Sequence, residues 1–302
     1  MMNSSPVIDS ISSAEGLPAP KTLVLYHGDC TDGFGAAYAA WLVLGDSAEY
    51  LACKYGDPVP EVKGRRVYIL DFSFDPEILA AMSESALSVT LLDHHQTARD
   101  KLGCLACGPR LSMLFDLQKS GARLAWEHFH PGQPIPYLIA RIEDRDLWRW
   151  KFDDTRDLLA VLDTLDQDFA AWHALREQAE DASALRALLA QGAALRRQFE
   201  QLVASAAKGA FELTLLGHKT LAVNAPSEFT SDLGNLLALR TGSFALVFKI
   251  ESPAFVKVSL RALPGCDVSP IALRFGGGGH PQACAFRLPM ASFPALLAGT
   301  LA

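Results

Sequence analysis

The sequence predicts an α/β chain with an N-terminal parallel sheet, a helical connector and a smaller C-terminal α/β unit. Three observations predict it. Short apolar runs at 23–26, 67–70 and 89–92 are continuous and bounded by polar residues, as strands buried on both faces of a parallel sheet are. Helical patterns separate these runs, so the alternation reads as β-α-β units. From Asp157 the composition turns to Leu, Ala, Gln, Arg and Glu at helical spacing, and past Gly209 strand-like runs return.

Taken in order, residues 1–21 are rich in Ser, Pro and Ala without periodicity and read as a flexible leader, without the basic-then-apolar order of a signal peptide. Order begins at Thr22. The strand at 23–26 precedes an Ala-rich helix at 33–44 that carries Trp41 and Leu42. The strand at 67–70 precedes a helix at 76–87 whose first helical position is Pro76, where a missing N–H costs nothing. After the strand at 89–92, helices at 112–130 and 135–148 complete a first domain, 22–156. The connector covers 157–209. A second domain, 210–302, holds strands at 211–216, 220–223, 244–250 and 255–260, with a helix at 231–240 among them. A helical pattern at 268–275, a glycine run and a final strand at 283–288 close it.

A chain of 302 residues, half of them hydrophobic, can bury the cores of two domains. The net charge of −7 leaves little excess positive charge to neutralise a long phosphate backbone, which argues against duplex DNA and leaves short nucleotides open. No apolar run approaches the roughly 20 residues that cross a bilayer, so a cytoplasmic protein with no membrane partner is expected. Six cysteines in a chain with a large core read as reduced thiols. Cys104 and Cys107 form one CxxC with no second pair nearby, which fits a loop better than zinc. Association as a homodimer is left open.

The chemistry gathers where the strands end. The first runs into His27-Gly28-Asp29-Cys30-Thr31-Asp32-Gly33, the second into Asp71 and the third into Asp93-His94-His95. In open parallel sheets the ligand crevice lies beyond the carboxyl ends of the strands, so these side chains can converge. Singly, each has an ordinary reading as a helix cap, a turn residue or a hydrogen-bonded imidazole. Together, so many acids at one rim need a compensating cation. Mixed carboxylate and imidazole ligands suit Mn²⁺, Fe²⁺ or Co²⁺, and suit Mg²⁺ less. Enough ligands are present for two ions, which at roughly 3.5–4 Å separation could activate a water and stabilise phosphoryl oxygens, so the natural reaction is hydrolysis of a phosphate ester or anhydride.

The order and spacing of these motifs resemble the DHH phosphoesterase superfamily. Near the C-terminus, Arg274-Phe275-Gly276-Gly277-Gly278-Gly279-His280 is similar to the glycine-rich signature of the DHHA1 domain that accompanies it. The resemblance spans residues 22–288. It implies that 22–156 is the catalytic metal-binding domain and 210–302 the substrate-binding domain. Two Mn²⁺ ions, with Mg²⁺ or Co²⁺ as substitutes, would be held by His27, Asp29, Asp32, Asp71, His94 and Asp146, with Asp71 bridging. Asp93 would orient the neighbouring imidazoles and His95 would contact the scissile phosphate or leaving group. Two points depart from the pattern: Asp29 and Asp32 are separated by two residues, and Glu143, Asp144 and Asp146 compete for the fourth motif, where Asp146 is preferred because Leu147-Trp148 follow it.

Glycines without Cβ let backbone N–H groups approach a phosphate, so Gly277, Gly278 and Gly279 with His280 form a candidate substrate-binding element. Arg261 is a candidate second clamp, because its fork suits two oxygens. Phe275 is the aromatic best placed by sequence to stack a base, whereas Trp148 and Trp150 read as packing residues. His128, His130 and His218 have no assigned role. The reading is a Mn-dependent phosphodiesterase acting on short oligonucleotides or linear or cyclic dinucleotides. A pyrophosphatase or bisphosphonucleotide phosphatase, and a nucleotide-binding regulatory module without turnover, are the alternatives.

Overall fold

The computed structural model describes residues 22–28, 30–105 and 108–301. Asp29, Cys107 and the leader expected at 1–21 lie outside the described residues. The first sheet is built from β1 (Thr22–His27), β2 (Ala48–Cys53), β3 (Arg66–Leu70), β4 (Ser88–Asp93) and β5 (Leu111–Phe115), in the order β2-β1-β3-β4-β5 with every pair parallel. The strand β1 is buried along nearly its whole length, which is why its sequence is continuous rather than alternating.

Helices cover both faces of this sheet. On one side lie α1 (Thr31–Leu44), α4 (Gly121–Phe129) and α5 (Tyr137–Asp146), and on the other α2 (Pro76–Ser85) and α3 (Gln96–Leu102). The stretch expected as a connector forms α6 (Thr155–Leu162), α7 (Phe169–Glu180) and α8 (Ala182–Ala206). Leu158, Leu162, Trp172 and Leu175 pack into the same core as α1, so α6 and α7 form an outer layer over the first sheet. The 25-residue α8 extends from that core at Leu188 to the second sheet at Val203.

The second sheet has six strands in the order β10-β11-β9-β8-β7-β6. Its elements are β6 (Phe211–Leu215), β7 (His218–Asn224), α9 (Thr230–Thr241), β8 (Phe244–Ile250), β9 (Phe255–Ala262), α10 (Ser269–Arg274), β10 (Gly278–His280), β11 (Ala283–Pro289) and α11 (Phe293–Leu297). All pairs are antiparallel except β7 with β8, which α9 joins as a crossover. The α9 face and the opposite face carry separate apolar cores.

One expectation is corrected. Residues 112–130 are not one helix: the chain runs as β5 beside β4, and α4 starts at Gly121 after Ser120, whose hydroxyl accepts from Arg123 N–H at 3.2 Å. The residues of β5 have good helix propensity, but pairing with the open edge of β4 decides their state. In the glycine run, Gly278, Gly279 and His280 form β10. The edge strand β2 was not legible in the sequence.

Candidate functional site

The strand order puts a switch point between β1 and β3: α1 follows β1 onto one face and α2 follows β3 onto the other, opening a crevice beyond the two carboxyl ends. His27 is the last residue of β1 and Asp71 the first after β3. Asp71 has φ of 54°, a left-handed conformation that costs a non-glycine residue free energy and that short polar side chains tolerate best. Its N–H still donates to Leu92 O at 2.9 Å, so the backbone stays tied to β4 while the carboxylate faces His27, Cys30 and His94.

Asp32 enters from the first turn of α1 and is 1% exposed. Its oxygens accept from Gly121 N–H at 2.5 Å and Ala122 N–H at 3.0 Å, so it caps α4, whose N-terminal partial charge favours an anion. This close approach depends on two residues without Cβ. A Cβ on Gly33 would lie 2.3 Å from His27 O, and one on Gly121 would lie 2.4 Å from the Asp71 Cβ.

His94 is also 1% exposed, and its Nε2 lies 3.0 Å from Asp71 Oδ1, 3.5 Å from Asp32 Oδ2 and 3.6 Å from Asp146 Oδ2. Asp146 reaches this point from the last turn of α5. Asp144, two residues earlier, faces away and is saturated by Lys151 N–H, Phe152 N–H and the Thr155 hydroxyl, holding the 147–155 turn. Geometry therefore gathers Asp146 and not Asp144. Asp93 is fully buried and accepts from the Ser73 hydroxyl, from His94 N–H at 2.7 Å and from His95 Nδ1 at 2.7 Å. It thereby fixes the orientation of the His95 ring.

The second sheet reaches the same crevice through β10. The His280 ring stacks on His95 with centroids 4.8 Å apart and lies 4.9 Å from His94. Gly279 N–H donates to Thr97 Oγ1 of α3 at 3.3 Å. The pairing of β10 with β11 gives two of the glycines a reason of their own: a Cβ on Gly277 would lie 2.1 Å from Ala285 O, and Gly279 has φ of 134°. Arg261 is held beneath α9, donating to Ser231 Oγ at 3.2 Å and Leu260 O at 2.9 Å, and is not among the groups around Asp71. Phe275 stacks on Phe286 with centroids 4.6 Å apart and is only partly buried.

The electrostatics are those of a site with too many acids for its cations. Burial, with the charges of Asp146 and Asp71, holds Asp32 well above the usual carboxylate range, and burial also raises Asp146. Burial opposes ionisation of Asp71 too, but the imidazoles of His27 and His94 outweigh it and keep Asp71 well below that range. Against the penalty of burial, Asp71 and Asp146 push His94 up to about 10, and Asp93 pushes His95 up to about 9. His280 goes the other way, to about 3, because it is buried beside those two imidazoles.

The arrangement leaves Asp71 Oδ1, Asp146 Oδ2 and His27 Nδ1 buried without a hydrogen bond. The donor atoms of Asp32, Asp71 and His94 lie within 4.8 Å of one another, as do those of His27, Cys30 and Asp71. Orphaned oxygen and nitrogen donors at this spacing fit divalent cations, and Asp71 is common to both groups.

No family model matches the chain. Over 314 aligned positions it is 32% identical to uncharacterized protein R106 of Acanthamoeba polyphaga mimivirus, a match that covers 91% of this chain and 72% of the relative. The chain belongs to the R106 family. The solved structure of PggH from Vibrio cholerae, described as a pGpG-specific phosphodiesterase, matches with a TM-score of 0.50 over 93% of this chain and 98% of that one, at 14% identity. An uncharacterized protein from Helicobacter pylori G27 gives a TM-score of 0.44 at 14% identity, over 89% of this chain and 93% of that one. The likeness to PggH shows the fold: a parallel five-stranded sheet followed by a second sheet. Among the described residues, no helix is long and apolar enough to cross a membrane.

Of the residues expected at the site, the structure brings together His27, Asp32, Asp71, Asp93, His94, His95, Asp146 and His280. Asp29 lies outside the described residues. Sequence reasoning missed Cys30, whose Sγ is 3.7 Å from Asp71 Oδ2, and also Ser73, Thr97 and the α4 N-terminus. Only Cys30 left a signal, since it stands inside the first motif.

Proposed function

We propose that this chain is a metal-dependent phosphodiesterase of the DHH type, with a DHHA1-like substrate-binding unit in 210–302, and that it hydrolyses short oligonucleotides or linear or cyclic dinucleotides. The observation that carries this reading is the convergence of Asp32, Asp71, His94 and Asp146 at the switch point, with buried ligand atoms left unpaired. The fold likeness to PggH, described as a pGpG-specific phosphodiesterase, supports a nucleotide substrate. The R106 relative is uncharacterized and adds no activity.

When bound, a pair of divalent ions supplies a nucleophile at neutral pH and Lewis-acid neutralisation of the phosphoryl oxygens. The chain's own residues do the rest. Asp71 binds toward both halves of the centre, and Asp32 is held rigid by the α4 N-terminus. Asp93 anchors His95 through Nδ1, which leaves the opposite nitrogen to contact the scissile phosphate or the leaving group. His280, kept neutral by burial beside two imidazoles, can donate one hydrogen bond to a phosphoryl oxygen without bringing a charge to the metal rim. A substrate with a second nucleotide would extend from this point along the second sheet, away from the acids.

The test is turnover of a linear dinucleotide, a cyclic dinucleotide, pyrophosphate and a 3′,5′-bisphosphorylated nucleotide with Mn²⁺ present. Preference for the dinucleotides is expected. Preference for pyrophosphate or the bisphosphorylated nucleotide would replace this reading with a phosphatase, and binding without turnover would replace it with a regulatory module.

A further inference from the structure

Cys30 precedes α1 in an extended conformation, in the position of its N-cap, yet its side chain caps no backbone N–H. A cysteine placed for packing is a small hydrophobe surrounded by apolar atoms. This one is not. Its Sγ lies 3.7 Å from Asp71 Oδ2, and that same oxygen lies 3.5 Å from His27 Nδ1, which is buried and has no hydrogen-bond partner. The three donor atoms fall within 4.8 Å of one another. The backbone here is held as well, because the Cys30 carbonyl accepts from Phe34 N–H at 3.0 Å and from Gln167 Nε2 at 3.4 Å.

The two halves of the crevice therefore differ in chemistry. Around His94 Nε2 the carboxylates of Asp32, Asp71 and Asp146 are at hand, and the imidazoles of His95 and His280 are grouped with His94 as well. Around His27 the grouped donors are an imidazole, a thiol and the shared Asp71. Among the described residues a dication there meets one shared carboxylate, and a thiolate would bring a further negative charge.

Building on the metal-centre reading above, we propose that Cys30 Sγ is a metal ligand together with His27 Nδ1 and Asp71 Oδ2, and that this half of the centre selects a softer ion than the His94 half. On coordination the thiol proton leaves to solvent and sulfur donates as thiolate, a ligand that favours Zn²⁺, Co²⁺ or Cd²⁺ over Mn²⁺ and Mg²⁺. The centre is then chemically asymmetric, with a nitrogen-sulfur-oxygen site beside an oxygen-rich one that shares Asp71.

The test uses the full chain loaded with Co²⁺, read by metal analysis and by the near-ultraviolet charge-transfer band that a cobalt-bound thiolate gives. The band is expected in the wild type and should be absent from Cys30→Ser, which keeps the ion near His94. Affinity for Cd²⁺ at the His27 half should fall in that variant by at least the roughly 10–100-fold that loss of an orienting partner costs, and by more than affinity for Mn²⁺ falls. Cys30→Asp is the second variant. It should bind Mn²⁺ better than the wild type and show no band. Bound metal should also shield Cys30 from alkylation. Two Co²⁺ ions bound without a charge-transfer band, or a band that survives in Cys30→Ser, would overturn the proposal and leave the metal centre standing with other ligands. Failure to bind Co²⁺, Mn²⁺ or Cd²⁺ at all would overturn both.

Discussion

The two rims that meet at the crevice are built on opposite principles. The first sheet contributes buried, mutually constraining groups: Asp32, Asp71, Asp93 and His94 are each 1% exposed or less, and Asp32 and Asp93 accept backbone hydrogen bonds as well. The second sheet contributes a short strand of glycines and one half-buried imidazole, tied to the first by a 3.3 Å hydrogen bond to Thr97, while an ion pair of 3.2 Å joins Arg156 to Asp232 farther along. The difference teaches where rigidity is needed. Charge that must not move is placed on strand ends and helix starts. On the proposed reading, the contacts that would admit and release a substrate rest on a few weak bonds, whose small energies would allow opening.

The comparison is broken most severely at Asp71, the group common to both ligand clusters. Asp71→Ala should abolish hydrolysis and metal binding while circular dichroism stays native, a loss beyond the roughly 10–100-fold caused by removing an orienting partner. Wild-type turnover in this variant would refute the assignment. Next in size is Gly121→Ala, whose Cβ would sit 2.4 Å from the Asp71 Cβ. It should cost about 1–3 kcal/mol of stability through overpacking and lower metal occupancy measured by calorimetry, because the shift is forced onto a ligand.

On the second rim, His280→Ala should act on binding. A rise in KM of about tenfold, equivalent to one lost hydrogen bond of roughly 1.4 kcal/mol, is expected with kcat changed less. A fall in kcat alone would move His280 into the chemistry. Smallest is Thr97→Val, which removes the acceptor for Gly279 N–H and should change KM by no more than about 1 kcal/mol of binding free energy.

Acidity separates the metal-free from the metal-loaded rim. Without metal, His94 and His95 have folded pKa values of about 10 and about 9, above the usual imidazole value, so their stabilising contribution is complete below that usual value and lost as pH rises through 9 and 10. Asp32 and Asp146, also raised, add stability in the same direction as pH falls. The chelated chain should therefore melt at higher temperature as pH is lowered from about 10 toward neutrality. With metal bound the order reverses, since the ligands must be deprotonated, and the stabilisation due to Mn²⁺ should shrink as pH drops below about 6. Parallel pH dependence of melting with and without Mn²⁺ would count against imidazole ligation.

Much of the first rim was legible because strand ends in a parallel sheet translate sequence position into spatial position. His27, Asp71 and Asp93-His94-His95 needed only the strands to be found. The preference for Asp146 over Asp144 came from the resemblance alone, through the Leu147-Trp148 that follows, because two acids two residues apart on one helix differ physically only in which way the chain turns afterwards. The 147–155 turn claims Asp144 through three donors and leaves Asp146 to the crevice. The second rim was harder still. A glycine run looks alike whether it serves a ligand or lets β10 lie close to β11, and only the 2.1 Å separation between a Gly277 Cβ and Ala285 O shows the second cause. The strand β5 was hidden because its residues suit a helix until β4 offers an edge.

By itself the sequence determined the alternation of strands and helices, and with it the acids and imidazoles that fall at one end of a sheet. Burial on both faces demands continuous apolar runs, and those are visible locally. The tertiary structure alone decided that α4 would present its N-terminus to Asp32, that Ser73 would hold Asp93, and that Cys30 would face the orphaned nitrogen of His27. Those contacts join residues separated by up to 90 positions, and no local pattern records a distance that exists only after the sheet has formed.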